Sequence, residues 1–171
     1  IVASTLETDV LPLRVRGYRS SDLDGLFASG ELVWVGAGAI GSNDGRIRLF
    51  FADQVAELLP VFEKVESPDG QIHEALRIAL ANRGASFWNN IVAATPQCTE
   101  AERLAALWDL VWAGEVTNDT MAPLRALIGG ARSGSAKRSQ RPTSRPRSLR
   151  MTRIGPPAGT GRWSTIGDLV G

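Results

Sequence analysis

Apolar positions at the start of the chain recur first with the period of a strand and then with that of a helix. Leu11, Leu13 and Val15 alternate with a proline and two arginines, a pattern typical of a half-buried strand. A helix is predicted next. It begins at the serines of residues 20–21, which can cap its first turn, and it ends at Gly30, where a left-handed residue is favoured.

The apolar runs that follow predict a β-hairpin. Residues 32–35 and 46–50 are rich in strand-forming side chains, and residues 43–45 between them tolerate the positive φ angles of a tight turn. Arg46 and Arg48 share the polar face of the second strand and would project from the hairpin. Both are candidate phosphate contacts, although an ordinary solvated strand face explains them equally well.

Three short helices are predicted in the middle of the chain, over residues 67–84, 86–95 and 99–114. The first and third have a clear apolar face, and the third begins with a capping box formed by Thr99 and Glu102. The tight turns between the helices indicate a helix-turn-helix arrangement. A short strand and a small helix would complete this unit.

Together these patterns predict an α+β fold that is predominantly helical, with tandem winged-helix-like modules and a β-hairpin wing. Residues 1–60 would be the rear half of one module, with strand, helix and hairpin, and residues 61–130 a second, helical module. Residues 131–160 are predicted to be a disordered basic linker of Arg, Ser, Pro and Gly. Residues 161–171 would start a truncated next module, so we expect the chain to be a piece of a longer protein.

Charge is distributed unevenly along the chain. Through Gly130 there are 10 basic and 17 acidic residues, a net charge of −7, whereas the remainder has 9 basic residues and 1 acidic residue, a net charge of +8. The basic segment would neutralise nucleic-acid phosphates, with a solubilising tether as the alternative. Its candidate binding residues are Lys137, Arg138, Arg141, Arg145, Arg147 and Arg150.

Composition excludes several classes of protein. The single cysteine, Cys98, and the single histidine, His73, leave no intrachain disulfide and no His/Cys zinc site. The longest apolar runs fall far short of the roughly 20 residues that span a bilayer. No membrane contact is therefore expected, and a cytoplasmic location is predicted.

No catalytic residue and no metal site are predicted. Asp22 and Asp24 resemble a catalytic carboxylate pair, but both fall in the first turn of a predicted helix, where the helix dipole favours acidic side chains. Asp109 and Glu115 would need a pocket that the sequence does not reveal.

Two glycine-rich stretches resemble phosphate-binding loops. Residues 36–41 fit the pattern G-x-G-x-x-G, but a turn and a strand follow instead of the helix that would hold a pyrophosphate. Residues 155–162 carry Arg162 in place of the lysine of an ATPase loop, and Trp163 replaces the residue that binds magnesium. No cofactor is therefore predicted for this chain.

The third predicted helix would expose Glu100, Glu102, Arg103 and Asp109, a mostly acidic face. Phosphates line both edges of a DNA groove and repel such a face, so this helix is not expected to read bases.

The tryptophans are predicted to be core residues by their spacing. Trp88 is followed by Asn89 and Asn90, which makes it the one tryptophan for which stacking on an unpaired base is the alternative.

Residues 11–18, 23–36 and 107–120, together with the Gly-Arg-Trp-Ser tetrad at 161–164, resemble one known family. The most specific part is the Trp-Ala-Gly-x-x-Thr-Asn-Asp run within the third segment. The family is Lhr, the large helicase-related proteins, which are ATP-driven DNA helicases linked to DNA repair. Their motor domains are followed by winged-helix modules, and the resemblance implies that this chain is a slice of that C-terminal extension.

The resemblance implies a non-motor, DNA-binding accessory segment of such a helicase. Its expected partners are single-stranded or tailed duplex DNA, held mainly through the backbone, neighbouring modules of the same chain, and a second copy. ATP and magnesium are expected for the parent motor domains and not here. The alternatives are a scaffold or oligomerisation module without DNA contact, or part of a DNA glycosylase-like unit, although the Gln-x-Gln motif of the related glycosylases is absent.

Overall fold

The structure is a computed structural model, and it describes residues 1–133 and 155–170. The helices are α1 (Ala3–Thr5), α2 (Leu11–Arg14), α3 (Ser20–Ala28), α4 (Val55–Leu58), α5 (Gln71–Arg83), α6 (Trp88–Ala94), α7 (Glu100–Trp112), α8 (Ala122–Ser133) and α9 (Gly167–Val170). A π-helical turn, Leu6–Val10, joins α1 to α2, and 3-10 turns cover Leu59–Val61 and Pro157–Gly159. No helix in these two ranges is long and apolar enough to cross a membrane.

Four strands form two small antiparallel sheets. The strands are β1 (Leu32–Ile40), β2 (Asp44–Phe51), β3 (Val116–Asn118) and β4 (Trp163–Thr165). β1 pairs with β2, and β3 pairs with β4.

The strand predicted at the start of the chain is wrong. Leu11–Arg14 is helical, with Pro12 in its first turn, where a missing N–H leaves no helical hydrogen bond unmade. Leu13 is 86% exposed, whereas Leu11 packs against the core. The alternation of apolar and polar residues therefore did not mark a buried strand face.

The helix predicted after it is confirmed as α3, and Gly30 follows its end with a φ of 74°. The predicted serine cap is wrong, because the N-cap is Arg19 and no side chain caps the first turn. The backbone N–H of Gly30 donates to Phe27 and that of Glu31 to Leu26, the paired bonds of a glycine-terminated helix. This tight ending turns the chain directly into β1.

The predicted β-hairpin is confirmed, with Trp34 opposite Leu49 and a bulge between Gly36 and Ala39. The positive φ at its tip belongs to Gly41, at 68°, and not to residues 43–45 as predicted. No helix follows the glycines of residues 36–41, in agreement with their interpretation as part of a hairpin.

Two glycines let the hairpin lie directly against α7. A Cβ atom on Gly36 would lie 1.8 Å from the carbonyl oxygen of Val111, and one on Gly45 would lie 2.5 Å from the Trp112 ring. Any side chain at Gly36 would therefore push the hairpin away from the helix.

The three predicted helices of the middle region are present as α5, α6 and α7. α5 begins at Gln71, later than predicted, after Gly70 with a φ of 148°. The capping box of α7 is confirmed, because Thr99 Oγ1 accepts from the Glu102 N–H at 3.2 Å and Glu102 Oε2 accepts from the Thr99 N–H at 2.9 Å.

The C-terminal residues complete the sheet begun by β3. The sequence predicts the start of a new module from residue 161, but β4 instead pairs with β3, so that Trp163 lies opposite Asn118. Trp163 is fully buried, and its backbone N–H donates to Ser86 at 2.8 Å. This strand therefore belongs to the same folded unit as the helices.

One hydrophobic core contains residues from both halves of the sequence, with Leu6, Trp34, Leu76, Leu107 and Trp163 all fully buried. A smaller cluster lies on the other side of the hairpin and joins strand residues to α4 and the C-terminal segment; it comprises Val35, Phe50, Val55 and Ile166. The core is thus shared across the boundary predicted between residues 60 and 61. The tandem arrangement of modules stays a prediction.

Candidate nucleic-acid interface

β2 carries the two arginines that the sequence predicts as nucleic-acid contacts. Arg46 is exposed, and its backbone lies beside Val2, which pairs with it. Arg48 follows two residues later and therefore projects to the same side of the strand. Within residues 1–133 and 155–170, the guanidinium of Arg46 makes no ion pair or hydrogen bond. It is therefore available to an anion from solution.

Arg48 is half-buried because its guanidinium stacks on an aromatic ring. Its Cζ lies 4.6 Å from the centre of the Phe62 ring, which in turn meets Phe50 edge to face at 5.9 Å. Stacking fixes the plane of a guanidinium while leaving its N–H groups at the edge free to donate. Arg48 is thus held in place on the same face of β2 as Arg46.

The other sequence-predicted contacts lie outside the described residues. They are Lys137, Arg138, Arg141, Arg145, Arg147 and Arg150.

The interpretation of Arg103 as an exposed residue of α7 is wrong. Arg103 is only 5% exposed. Its Nε donates to Thr95 Oγ1 at 2.6 Å, and its Nη2 donates to the carbonyl oxygens of Thr95 and Cys98 at 2.6 and 2.8 Å. The charge is therefore used to close the turn between α6 and α7 and is not available to DNA.

The rest of α7 is equally unsuited to a DNA groove. The helix is buried along most of its length, and its exposed positions include Glu100, Glu102 and Asp109. A central helix with acidic exposed positions cannot approach phosphates without repulsion. These features favour the expectation that α7 does not read bases.

Each carboxylate that the sequence singled out has a structural partner. The pairs are Asp22 with Arg19 at 3.6 Å, Asp24 with Arg125 at 2.8 Å, Asp109 with His73 at 3.1 Å and Glu115 with Arg77 at 2.6 Å.

Glu115 is not poised to act as a general acid. Burial alone would raise its pKa, but hydrogen bonds from Arg77 and Ser67 and the charge of Arg77 outweigh burial and hold the pKa below its ordinary value. A general acid at neutral pH needs the opposite shift. Glu115 instead anchors α5 to the end of α7.

Glu7 is held in the same way between the N-terminal region and α8. Burial would raise its pKa, but hydrogen bonds from Arg125 and Tyr18 lower it overall. The two Arg125–Glu7 bonds measure 2.6 and 2.9 Å. Burial and the hydrogen bond to Glu7 raise the pKa of Tyr18. Glu7, Tyr18 and Arg125 therefore join the N-terminal region to α8, and we call this cluster the Arg125–Glu7 clasp.

His73 and Cys98 do not form a reactive pair. His73 shares its Nε2 with Asp109, while its Nδ1 is buried against Gly70 without a hydrogen-bond partner among the described residues. Cys98 is a half-buried free thiol. The described part of the chain contains no group of three or more side chains placed to bind a metal.

Trp88 is a core residue and its neighbour Phe87 is the exposed aromatic. Trp88 is 4% exposed and lies against Gly155 and Gly159, whereas Phe87 is 57% exposed. The two residues border a cleft of about 380 Å³, which also includes residues 89–90 and 159–161. Sequence reasoning missed Phe87 because it counted this residue among the apolar positions of the short helix, with Ile91 and Val92. Two adjacent aromatics at the start of a short helix could have signalled that one faces outward.

Residues 1–52 match the family described as the winged-helix domain of large helicase-related proteins. Over 173 residues the chain is 38% identical to the Lhr helicase/probable uracil glycosylase of Mycolicibacterium smegmatis, and the alignment covers 97% of the chain. Over 177 residues it is 34% identical to the Lhr helicase/uracil glycosylase of Escherichia coli, covering 96% of the chain. The chain belongs to the Lhr family. It spans 11% of the length of each of these relatives.

The run that most specifically resembles Lhr proteins has a structural role. Asn118 Nδ2 donates to the carbonyl oxygen of Thr160 at 3.0 Å, and Asp119 accepts from both the backbone N–H and the Nε of Arg162 at 2.9 Å. These bonds fasten the Gly-Arg-Trp-Ser tetrad to β3. The two Lhr-like segments, residues 107–120 and 161–164, are distant in sequence but are therefore hydrogen-bonded to each other.

Both hairpin arginines lie inside the part of the chain that matches the Lhr winged-helix domain, whereas the cleft beside Phe87 and Trp88 lies outside it.

Proposed function

We propose that this chain is a non-motor accessory segment of an Lhr-type ATP-dependent DNA helicase acting in DNA repair, and that it binds the DNA backbone. The observation that carries the proposal is Arg46, an exposed arginine without an ion-pair partner in the described residues, beside the stacked Arg48 on the hairpin of the winged-helix region. Guanidinium groups two residues apart on one strand can each neutralise a phosphate.

The proposed partners follow from this chemistry. Single-stranded or tailed duplex DNA would be held through phosphates, with the basic residues from Lys137 to Arg150 adding charge that does not depend on sequence. Neighbouring modules of the helicase and a second copy of the chain are further proposed partners. ATP and magnesium would be bound by the motor domains of the parent protein.

A scaffold module without DNA contact is the second candidate. It is favoured by exposed apolar side chains, among them Leu13 at 86%, Val61 at 78% and Phe51 at 55%. Such side chains suit contact with other protein surfaces. A DNA glycosylase-like unit has support only in the names of the relatives, and no residue described above is assigned to that chemistry.

The test is binding of a fluorescent single strand by the full chain across a salt series. Truncation at Gly130 would remove Trp163 from the core, so the basic segment is better neutralised in place by replacing its Lys and Arg residues with Ser. The hairpin variant is R46A/R48A, and its matched control is Arg83→Ala, an exposed arginine at the end of α5.

We expect the wild-type chain to bind with a steep salt dependence, and each lost phosphate contact to reduce the slope by about 0.7 for a single strand. R46A/R48A should therefore bind more weakly and with a shallower slope, while Arg83→Ala behaves as wild type. If only the neutralised basic segment loses affinity, the hairpin is not a DNA contact. If the wild-type chain does not bind, the scaffold function is the better explanation.

A further inference from the structure

Phe87 is exposed at a point where the backbone is firmly held. Ser86, directly before it, exchanges two backbone hydrogen bonds with Trp163, both 2.8 Å long. Trp88, directly after it, is buried against the turn that contains Gly155 and Gly159. The phenyl ring therefore projects from a fixed support, although 57% of the residue is exposed.

The cleft beside the ring combines an apolar wall with side-chain amides that are accessible to a ligand. Phe87 and Trp88 form the wall, and residues 159–161 complete the lining. The side-chain amides of Asn89 and Asn90 make no hydrogen bond to any described residue. Each amide presents both a donor and an acceptor, the pair of groups that the edge of a nucleobase also presents.

The charge of the adjoining sequence suits a polyanionic ligand. Residues 134–154 contain seven Lys and Arg residues and no Asp or Glu. This segment joins the described chain at Gly155, which packs against Trp88 at the cleft. The cleft therefore lies next to the point at which a strongly basic stretch of sequence joins the described residues.

We infer that this cleft, which we call the Phe87 cleft, holds one unpaired base of a nucleic-acid strand. The base stacks on the Phe87 ring, and the amides of Asn89 and Asn90 bond to its edge. Stacking on an aromatic side chain tolerates any base, whereas the amides add a preference. The inference rests on the proposed DNA-binding function, to which it adds contact with a base.

The experiment compares two fluorescent strands of twelve nucleotides with equal charge, one of thymidines and one of abasic sugar-phosphate units. Affinity for the abasic strand measures phosphate contact alone. Affinity for the thymidine strand adds whatever the base contributes. The full chain is compared with Phe87→Leu, Phe87→Trp and the matched control Phe51→Leu, which alters a second aromatic that is 55% exposed.

We expect the wild-type chain to bind the thymidine strand about 5-fold or more tightly than the abasic strand, a ratio in the range of one base–aromatic stack. Phe87→Leu should bring this ratio close to one, because leucine keeps an apolar side chain but has no ring. Phe87→Trp should preserve the ratio, as should Phe51→Leu. Asn90→Ala should reduce it less than Phe87→Leu does.

Equal binding of the two strands by the wild-type chain would overturn the inference and leave the proposed function standing. So would a ratio that Phe87→Leu does not change, or a Phe87→Leu variant that alters only the oligomeric state of the chain. A base-dependent ratio that persists when both R46A/R48A and the neutralised basic segment have no effect would support the cleft and contradict the proposed backbone contacts. Absence of binding to either strand would overturn both.

Discussion

The ring of Trp163 meets the ring of Trp108 edge to face, with the ring centres 5.7 Å apart. Each indole N–H also donates to the turn before β4, Trp108 to Ala158 and Trp163 to Gly159, both at 3.0 Å. The C-terminal segment is therefore bound to α7 by this aromatic contact and by the Trp108 hydrogen bond, while the Trp163 hydrogen bond fixes the turn before β4. The segment that the sequence predicts to be the start of a next module, residues 161–171, therefore contributes Trp163 to the core.

Replacing Trp163 with Ala should destabilise the chain by about 3–5 kcal/mol, the usual cost of removing a fully buried aromatic. Urea unfolding followed by circular dichroism measures it. The control is Phe87→Ala, which removes an exposed ring and should change stability by about 0.5 kcal/mol or less. A loss below about 1 kcal/mol for Trp163→Ala would mean that β4 does not contribute to the core.

Gly36→Ala should destabilise the chain by about 2 kcal/mol or more, because the added Cβ would lie 1.8 Å from the Val111 carbonyl oxygen and the backbone must shift. Gly25→Ala is the matched control. Gly25 lies within α3 with nothing within 4 Å of the added atom, so this change should be neutral or stabilise by up to about 1 kcal/mol. Equal effects of the two substitutions would show that the hairpin does not pack on α7 as described.

Stability should depend on the protonation of Glu7. Its folded-state pKa lies below the ordinary value of 4.5, so the carboxylate stabilises the folded chain above that pH. This contribution is lost as the pH falls through the lower, folded-state pKa.

Glu7→Gln should therefore cost about 1–3 kcal/mol at neutral pH and less in acid, where the wild-type carboxyl is itself protonated. Urea unfolding at neutral pH and below pH 4.5 gives the comparison. Glu57→Gln changes an exposed carboxylate without an ion pair among the described residues and should leave the pH dependence unchanged. A Glu7→Gln variant with the wild-type pH profile would contradict the role of the Arg125–Glu7 clasp.

Arg103→Met should destabilise the fold by about 2–3 kcal/mol without changing DNA affinity. Methionine fills much of the same space but leaves the carbonyl oxygens of Thr95 and Cys98 without their donor. Unfolding and strand binding are measured on the same protein, with Arg83→Met as the exposed counterpart. Weaker DNA binding by a fully folded Arg103→Met variant would assign this residue a role at the interface.

Local signals in the sequence were sufficient for α3, for the three helices of the middle region and for the presence of the hairpin. The capping box of Thr99 and Glu102 and the glycine that ends α3 each act within a few residues, so sequence reasoning placed them correctly. The alternation around Leu13 extended over only six residues. That length is too short to separate a strand from one helical turn whose leucine points to solvent.

Contacts between distant residues could not be predicted in the same way. The partner of β3 is β4, which follows the basic segment in sequence. No local pattern in residues 163–165 indicates that this strand pairs with β3. Arg103 was expected at the surface because charged residues are seldom buried. Two of its three acceptors are backbone carbonyls, which carry no sequence signal. For the same reason, the exposure of Phe87 could be predicted only if the buried position of its neighbour, Trp88, was already known.

The aromatic contacts give the chain an internal optical probe. Trp34, Trp108, Trp112 and Trp163 form a continuous series in which Trp108 meets the other three, with ring centres 5.3–6.3 Å apart. Indoles at this spacing share excitation energy, so their emission reports the group as a whole. Detachment of either the hairpin or the C-terminal strand would expose part of the group to water and shift the emission to longer wavelength. The fifth tryptophan, Trp88, borders the Phe87 cleft, where a stacked base would quench it.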